Sequence, residues 1–476
     1  MDTATLAPHD TSVAEIQRIF ALQQDNHLNI GGTTAVERKA KLSKLYDAII
    51  AYRPQIKEAL YKDYRKHPTE TDMTEVYPTT TEIKDAKRNV ARWMRPEKVS
   101  TPMSLLGTSS YIRYEPKGVV LIIAPWNFPF YLTIGPLVSA IAAGNTIILK
   151  PSEMTPHTSA LMKKILTELF AENEIAVVEG GVETSKALLD LPFNHIFFTG
   201  APSIGKIVMR AAAEHLCSVT LELGGQSPTI VDETADIDTA ARRIAWGKFM
   251  NNGQVCIAPD HVFVHASKKE KFLAKVREYL KTFYTKDPAS EKSYSRMVNQ
   301  RHFERVKGYV EDAVLKGAKT EIGGRMNAAD NFIEPTVMTN VSPDSALAEN
   351  EIFGPVLPVY EFTDLQKVID KINAGEKPLA LYIYSKKKRN IQRIINNTRA
   401  GGTCINQSTI HSFNTELPFG GSNNSGIGKA HGRFGFEAFS EQRGVLRQYV
   451  PNAVDLLMPP YTDFKQKLVD LTIKFF

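Results

Sequence analysis

Val119-Val120-Leu121-Ile122-Ile123-Ala124 leads into Pro125-Trp126-Asn127-Phe128-Pro129, then an apolar stretch over 130–143 and the run Thr146-Ile147-Ile148-Leu149. Six consecutive apolar residues without polar alternation mark a strand covered on both faces, as in parallel sheets. Prolines at 125, 129 and 136, with the polar Asn127, argue against a membrane span despite the hydropathy of the region. The segment reads as strand, loop, helix, strand. The same alternation continues with a helix near 156–170, strands at Ala176-Val177-Val178 and His195-Ile196-Phe197-Phe198, and a helix over 205–213. Alternating strands and helices predict an α/β fold around a parallel sheet.

Working outward, 35–52 and 73–93 combine helical spacing with many charges, predicting two or three amphipathic helices outside the sheet. A second α/β segment spans 232–399, with helices over 238–249, 268–283 and 302–315, a loop at 287–295, and strand material at 331–336 and 353–359. The 476 residues suit two or three domains, with no internal repeat and no low-complexity tract.

Charge excludes some functions. The 58 basic and 52 acidic residues are interspersed, so nucleic-acid binding is not expected, and Lys386-Lys387-Lys388-Arg389 reads as a solvated helix start. Lysines other than Lys150 are expected on the surface. Cys217, Cys256 and Cys404 are widely separated and lack metal-ligand spacing, which fits a reducing compartment and no structural zinc. Cys217 and Cys404 are expected to behave as small buried hydrophobes. His157, His195, His261 and His302 have no mutual spacing suited to a metal. The N-terminus lacks a basic stretch followed by an apolar one, so a cytoplasmic location is expected.

Chemistry concentrates at two runs. Cys256 closes Asn251-Asn252-Gly253-Gln254-Val255-Cys256, and Glu222 lies in Leu221-Glu222-Leu223-Gly224-Gly225. A thiolate attacks an aldehyde carbonyl to give a tetrahedral adduct, and a carboxylate can then activate the water that cleaves the acyl-enzyme. In parallel sheets, ligands bind at the carboxyl ends of strands, where helix N-termini offer free N–H groups. Two such ends carry suitable residues. Phe198-Thr199-Gly200-Ala201-Pro202-Ser203-Ile204-Gly205 spaces its glycines across a strand-to-helix turn, and Lys150-Pro151-Ser152-Glu153 pairs an ammonium with a carboxylate able to hold ribose hydroxyls. In tandem they favour a dinucleotide.

Taken together, PWN (Pro125 to Asn127), KPSE (Lys150 to Glu153), FTG with a second glycine (Phe198 to Gly205), LELGG, GQVC (Gly253 to Cys256) and EIFGPV (Glu351 to Val356) resemble the aldehyde dehydrogenase superfamily over about 35–450. The modest length, Cys256-Ile257-Ala258-Pro259-Asp260, and Leu417-Pro418-Phe419-Gly420-Gly421 followed by Asn424-Ser425-Gly426 look like its class 3 and fatty-aldehyde branch.

The resemblance implies a Rossmann-like NAD(P)-binding domain (1–97 and 115–231) and a catalytic α/β domain (232–410). It further implies a bridging element (98–114 and 434–450) that joins a homodimer, and a C-terminal tail (451–476). It implies that Cys256 is the nucleophile, that Asn127 and the Cys256 N–H stabilise the oxyanion, and that Glu222 activates the hydrolytic water. Members that pass the acyl group to coenzyme A generally lack this base, so Glu222 favours a carboxylic acid product. By the same analogy the cofactor lies against Ile123, Pro125, Trp126, Thr199, Gly200, Gly205, Leu223 and Gly224. Its adenine ribose would rest on Lys150 and Glu153, and its nicotinamide ribose on Glu351 beside Phe353. Glu153 favours NAD, with NADP left open because the carboxylate can swing aside. Ala201-Pro202 stands where many relatives carry a hydroxyl or amide and removes one N–H, so only moderate cofactor affinity is expected.

Tyr77, His411 and Phe413 are candidates for an apolar tunnel taking aliphatic or aromatic aldehydes. In the tail, Phe464, Leu468, Leu471 and Phe475 form an apolar helical stripe opposite Lys465, Lys467 and Lys474. Three readings compete: docking on the body or a neighbouring subunit, covering the substrate entrance, or peripheral contact with a membrane. A catalytically inactive structural or lipid-surface homologue is the non-enzymatic alternative.

Overall fold

The strand Val119–Ile123 is buried at every residue, as its unbroken apolar run requires. This is a computed structural model, and it describes residues 10–450 and 454–475; expectations for 1–9, 451–453 and 476 fall outside them. The strand sits in a six-stranded sheet with the order Gly426–Ile427, Ser218–Leu223, His195–Gly200, Val119–Ile123, Thr146–Lys150, Ile175–Val177. Only Gly426–Ile427 runs antiparallel. From Val119–Ile123 the chain first builds outward through Thr146–Lys150 and Ile175–Val177. It then returns to add His195–Gly200 on the other side. The reversal opens a crevice between the carboxyl ends of Val119–Ile123 and His195–Gly200, where such sheets bind ligands.

Helices cover both faces. Tyr131–Ala143 is apolar almost all round because it lies between the sheet and the N-terminal helices. Gly144 ends it in the left-handed region (φ 90°). Its Leu137 is fully buried, a side chain worth about 2–5 kcal/mol against Ala.

The N-terminal part is richer in helix than its pattern predicts. Besides Ala35–Ala51 and Tyr77–Trp93, it contains Val13–Gly31, Arg53–Tyr64, Pro68–Thr71 and a π-turn over Asp72–Val76. Val13–Gly31 escapes a periodicity search because one of its inward positions is Gln23, whose amide donates to the carbonyls of Ile147 and Glu172 (2.9 and 3.1 Å).

The second sheet has seven strands, ordered Lys319–Ile322, Thr336–Thr339, Val356–Phe362, His261–His265, Pro228–Val231, Ala380–Tyr384, Gly402–Ile405. Glu97–Val99, Thr108–Pro116 and Ser440–Gln448 form a separate antiparallel sheet of three strands. The tail contains the helix Asp463–Phe475, none of whose residues is buried. At about 100° per residue, Lys467 and Lys474 flank its apolar stripe and do not oppose it. Among the described residues no helix is long and apolar enough to cross a membrane.

Two expectations about single residues fail. Lys66 and Lys248 are buried, because each meets buried carboxylates: Glu75 at 2.9 Å for Lys66, and Asp260 with Glu351 near Lys248. Cys404 is buried as expected, but Cys217 is only half-buried.

Candidate active site

Asn251, Asn252 and Gly253 all take positive φ (52°, 56° and 71°), unfavourable for the two asparagines, and hydrogen bonds with three other segments hold them there. The Asn251 N–H donates to Glu70 (3.0 Å), its side-chain amide to the Asn127 carbonyl (2.9 Å), and the Asn252 amide to the Ser295 carbonyl (3.1 Å). The buried Gln254 side chain donates to the carbonyls of Asn251 and Arg296 (both 3.0 Å) and accepts from the Val298 N–H (2.9 Å). Glycine is required at 253: a Cβ there would stand 2.3 Å from the Gly354 carbonyl oxygen. The next turn presents Cys256, whose sulfur faces the N–H groups of Cys256 and Ile257. Burial, then the charges of Glu351 and Glu222, push the thiol up to about 12. At neutral pH it is protonated and needs a base.

Asn127 is buried, and its amide donates to the Gln254 carbonyl (3.1 Å), which fixes it against the cysteine loop. Its own carbonyl accepts from the Tyr64 hydroxyl (3.0 Å) as well as from Asn251. The helix that follows begins on a buried carboxylate: Glu75 accepts from the Tyr131 N–H (2.9 Å) and pairs with Lys66. Lys66, Glu70, Glu75, Tyr64 and Gln254 therefore position both the Asn127 and the Cys256 segments. Their signal in the sequence is weak, because a residue that acts through another carries no motif chemistry of its own.

Glu222, near the end of Ser218–Leu223, is 6% exposed, and neither of its carboxylate oxygens has a hydrogen-bond partner. Burial holds it well above the usual carboxylate range, against the opposing charge of Lys429. Cys256 and Glu222 line one cavity that is partly open to solvent. Its walls are mainly apolar, including Phe128, Leu132, Met250, Val255, Ile257 and Phe419. Phe413 lines it too. Tyr77 is 58% exposed and outside the lining, touching Phe413 edge-on at 6.5 Å, and His411 lies behind it against Cys404 (3.3 Å).

The crevice suits a dinucleotide. Ile123, Pro125 and Trp126 close one side and Thr199 and Gly200 the other, with Lys150 bonded to Glu153 (2.9 Å) at the adjacent strand end. Glu351 fits so tightly over Gly224 that a Cβ there would stand 2.1 Å from its carboxylate oxygen. Burial, then Asp260, raises Glu351 to about 8. Phe353 is held at φ 43° by Arg305, which donates to the carbonyls of Ile352 and Phe353, and its ring meets Trp126 at 5.3 Å. Gly205 lies within the helix Pro202–Glu214, where a Cβ would stand 2.7 Å from the Leu223 side chain. Helix-to-strand packing explains that glycine better than close approach of a phosphate. The N–H groups of Ile204 and Gly205 both turn to the Ala201 carbonyl (3.0 Å each), leaving few donors for an anion.

The family model described as aldehyde dehydrogenase family matches residues 3–445. The chain is 42% identical to 4,4'-diaponeurosporen-aldehyde dehydrogenase of Staphylococcus aureus, over 89% of this chain and 92% of that protein. It is 41% identical to the dimeric NADP-preferring aldehyde dehydrogenase of Rattus norvegicus (88% and 91% covered). Among solved structures, substrate-bound Staphylococcus aureus AldH superposes with a TM-score of 0.93 at 40% identity, covering 96% of this chain and 99% of that one. A Mycobacterium tuberculosis aldehyde dehydrogenase complexed with NAD+ gives 0.84 at 28% identity, covering 93% and 92%.

Proposed function

Since the chain belongs to the aldehyde dehydrogenase family, we propose that it oxidises aldehydes to carboxylic acids with NAD, Cys256 being the nucleophile, Asn127 the oxyanion donor and Glu222 the base for hydrolysis. The observation that carries this reading is Glu222, buried in the same cavity as Cys256 with both oxygens unpartnered. An apolar cavity spares it competing hydrogen bonds and leaves it basic. Cys256 gives its thiol proton to Glu222 as it adds to the carbonyl carbon, Asn127 receives the developing oxygen charge, and Glu222, once it has passed that proton on, takes another from the water that releases the acid. The cofactor, when bound, supplies the hydride acceptor. Lys150, Glu153, Glu351 and Phe353 would hold it in the crevice. The NADP-preferring relative supports NADP as an alternative cofactor, and its dimeric state supports a homodimer here.

The apolar lining of the cavity supports medium or long aliphatic and aromatic aldehydes. A cytoplasmic location fits the three unpaired cysteines. For the tail, its uncovered stripe leaves a subunit contact, an entrance cover and a membrane surface as the three roles to separate. Acyl transfer to coenzyme A is the rival chemistry, and an available Glu222 weighs against it. The test is kcat/KM for NAD reduction with saturated aldehydes of increasing chain length and with benzaldehyde, using Cys256→Ala as the blank. Efficiency rising with chain length is expected; no Cys256-dependent turnover would sink the reading.

A further inference from the structure

Oxidising an aldehyde with water consumes one water oxygen and sheds both of its protons: RCHO + H2O + oxidised cofactor gives RCOO−, reduced cofactor and two protons. Glu222, buried in a mainly apolar cavity, needs a group that takes its proton onward. The same cavity contains a second acid–base assembly that the proposed roles leave unused. His431 and Glu82 line it, and the Glu82 carboxylate lies 2.5 Å from His431 Nδ1. The Tyr131 hydroxyl, 3.3 Å from the same nitrogen, completes the assembly, and its ring stacks on the imidazole. Tyr131, His431 and Glu82 share the cavity lining with Cys256 and Glu222.

With Nδ1 committed to a carboxylate, Nε2 is the nitrogen left to exchange protons, and the carboxylate steadies the imidazolium that results. His431 also keeps a positive φ of 72°, a strained backbone for a side chain with a Cβ. The Glu82 carboxylate holds this turn by accepting from the Gly432 N–H (3.3 Å). The other ionisable groups around His431 are Asp85, beside Gly432, and His411. Lys429, the cation nearest Glu222, is tied to the carbonyls of Gly420 and Gly421 (2.6 and 2.9 Å), and as an ammonium it has no lone pair to accept a proton.

We propose that His431, oriented by Glu82, takes the proton from Glu222 and passes it to solvent; this rests on Glu222 being the hydrolytic base. In that step Glu222 removes a proton from water as the water oxygen bonds to the thioester carbon. The C–S bond breaks with its electron pair on sulfur, and the new carboxylic acid gives its remaining proton to that sulfur, restoring the thiol. The Glu222 O–H then gives its proton, through water, to His431 Nε2, and the imidazolium releases it.

The test is a single turnover of full-length enzyme with excess NAD and hexanal, following reduced cofactor by absorbance and protons with an indicator dye. In His431→Gln and Glu82→Gln, cofactor reduction is expected to stay within about threefold of the parent while proton release and hexanoate formation slow about tenfold or more. Added imidazole should restore hexanoate formation in His431→Ala in proportion to free base. The proposal is overturned if reduction and proton release slow together, if neither changes, if imidazole does nothing to a folded His431→Ala enzyme, or if Lys429→Met alone produces the split. Failure of the underlying reading looks different: Glu222→Gln would then form hexanoate at the parental rate.

Discussion

The cysteine loop and the tail helix are opposite cases. Asn251 and Asn252 hold two unfavourable backbone conformations because Glu70, Asn127, Ser295, Arg296 and Val298 all bond to the loop or its Gln254 anchor. Asp463–Phe475 is a regular helix with good backbone geometry, yet it buries nothing, and Phe464 remains 69% exposed. Regular secondary structure is thus a poor guide to where this chain spends stability. What locks a segment is the number of independent partners it has, and strain accumulates where partners are many.

The comparison breaks most sharply at the chemistry the loop supports. Glu222→Gln is expected to lower steady-state acid formation about a thousandfold while leaving the first reduction of cofactor intact, measured by stopped flow against product assay. The pH dependence follows from the same residue. Its carboxyl is held above the ordinary 4.5, so its basic form disappears at higher pH than for an exposed glutamate. Hydrolysis should therefore fall on acidification with a midpoint above that value, and a midpoint at or below it would remove burial as the cause. Asn127→Ala comes next, with kcat down about a hundredfold for one oxyanion donor of about 3 kcal/mol, and unchanged kcat would reject the role.

Lys66→Met tests whether the support beneath the loop matters. It strands the Glu75 carboxylate that caps Tyr131–Ala143, at a cost of about 3–5 kcal/mol in a denaturant titration. Removing residues 461–476 should be the smallest change, within about 0.5 kcal/mol of stability, because the helix buries no residue. Loss of long-chain aldehyde turnover without loss of stability would assign the tail to the substrate entrance.

Much of this arrangement is legible in the sequence because each legible part has a local cause. Val119–Ile123 shows its double coverage as an unbroken apolar run, and Thr34 and Glu37 mark the start of Ala35–Ala51 with a reciprocal capping box. Cys256 and Glu222 stand out because their chemistry is in the residue type, whereas Asn127 is singled out by the family resemblance. The rest depends on partners distant in sequence. Lys66 looks like surface charge until Glu75 is folded over it, and Gln23 looks like a solvent residue until it meets the sheet edge. Glu82 and His431 are 349 positions apart, and no spacing rule reaches that far.

The ring contact at the cofactor crevice carries one more consequence. Trp126 touches Phe353 at 5.3 Å and His302 at 4.7 Å, and it is one of only three tryptophans in the chain. Its indole lies beside Phe353, proposed above to hold the cofactor; Trp93 belongs to the same hydrophobic cluster as Trp126, and Trp246 to another. The protein thus contains an intrinsic fluorophore at the mouth of its own crevice. Quenching of its emission during a titration reports cofactor binding directly, without turnover and without a label.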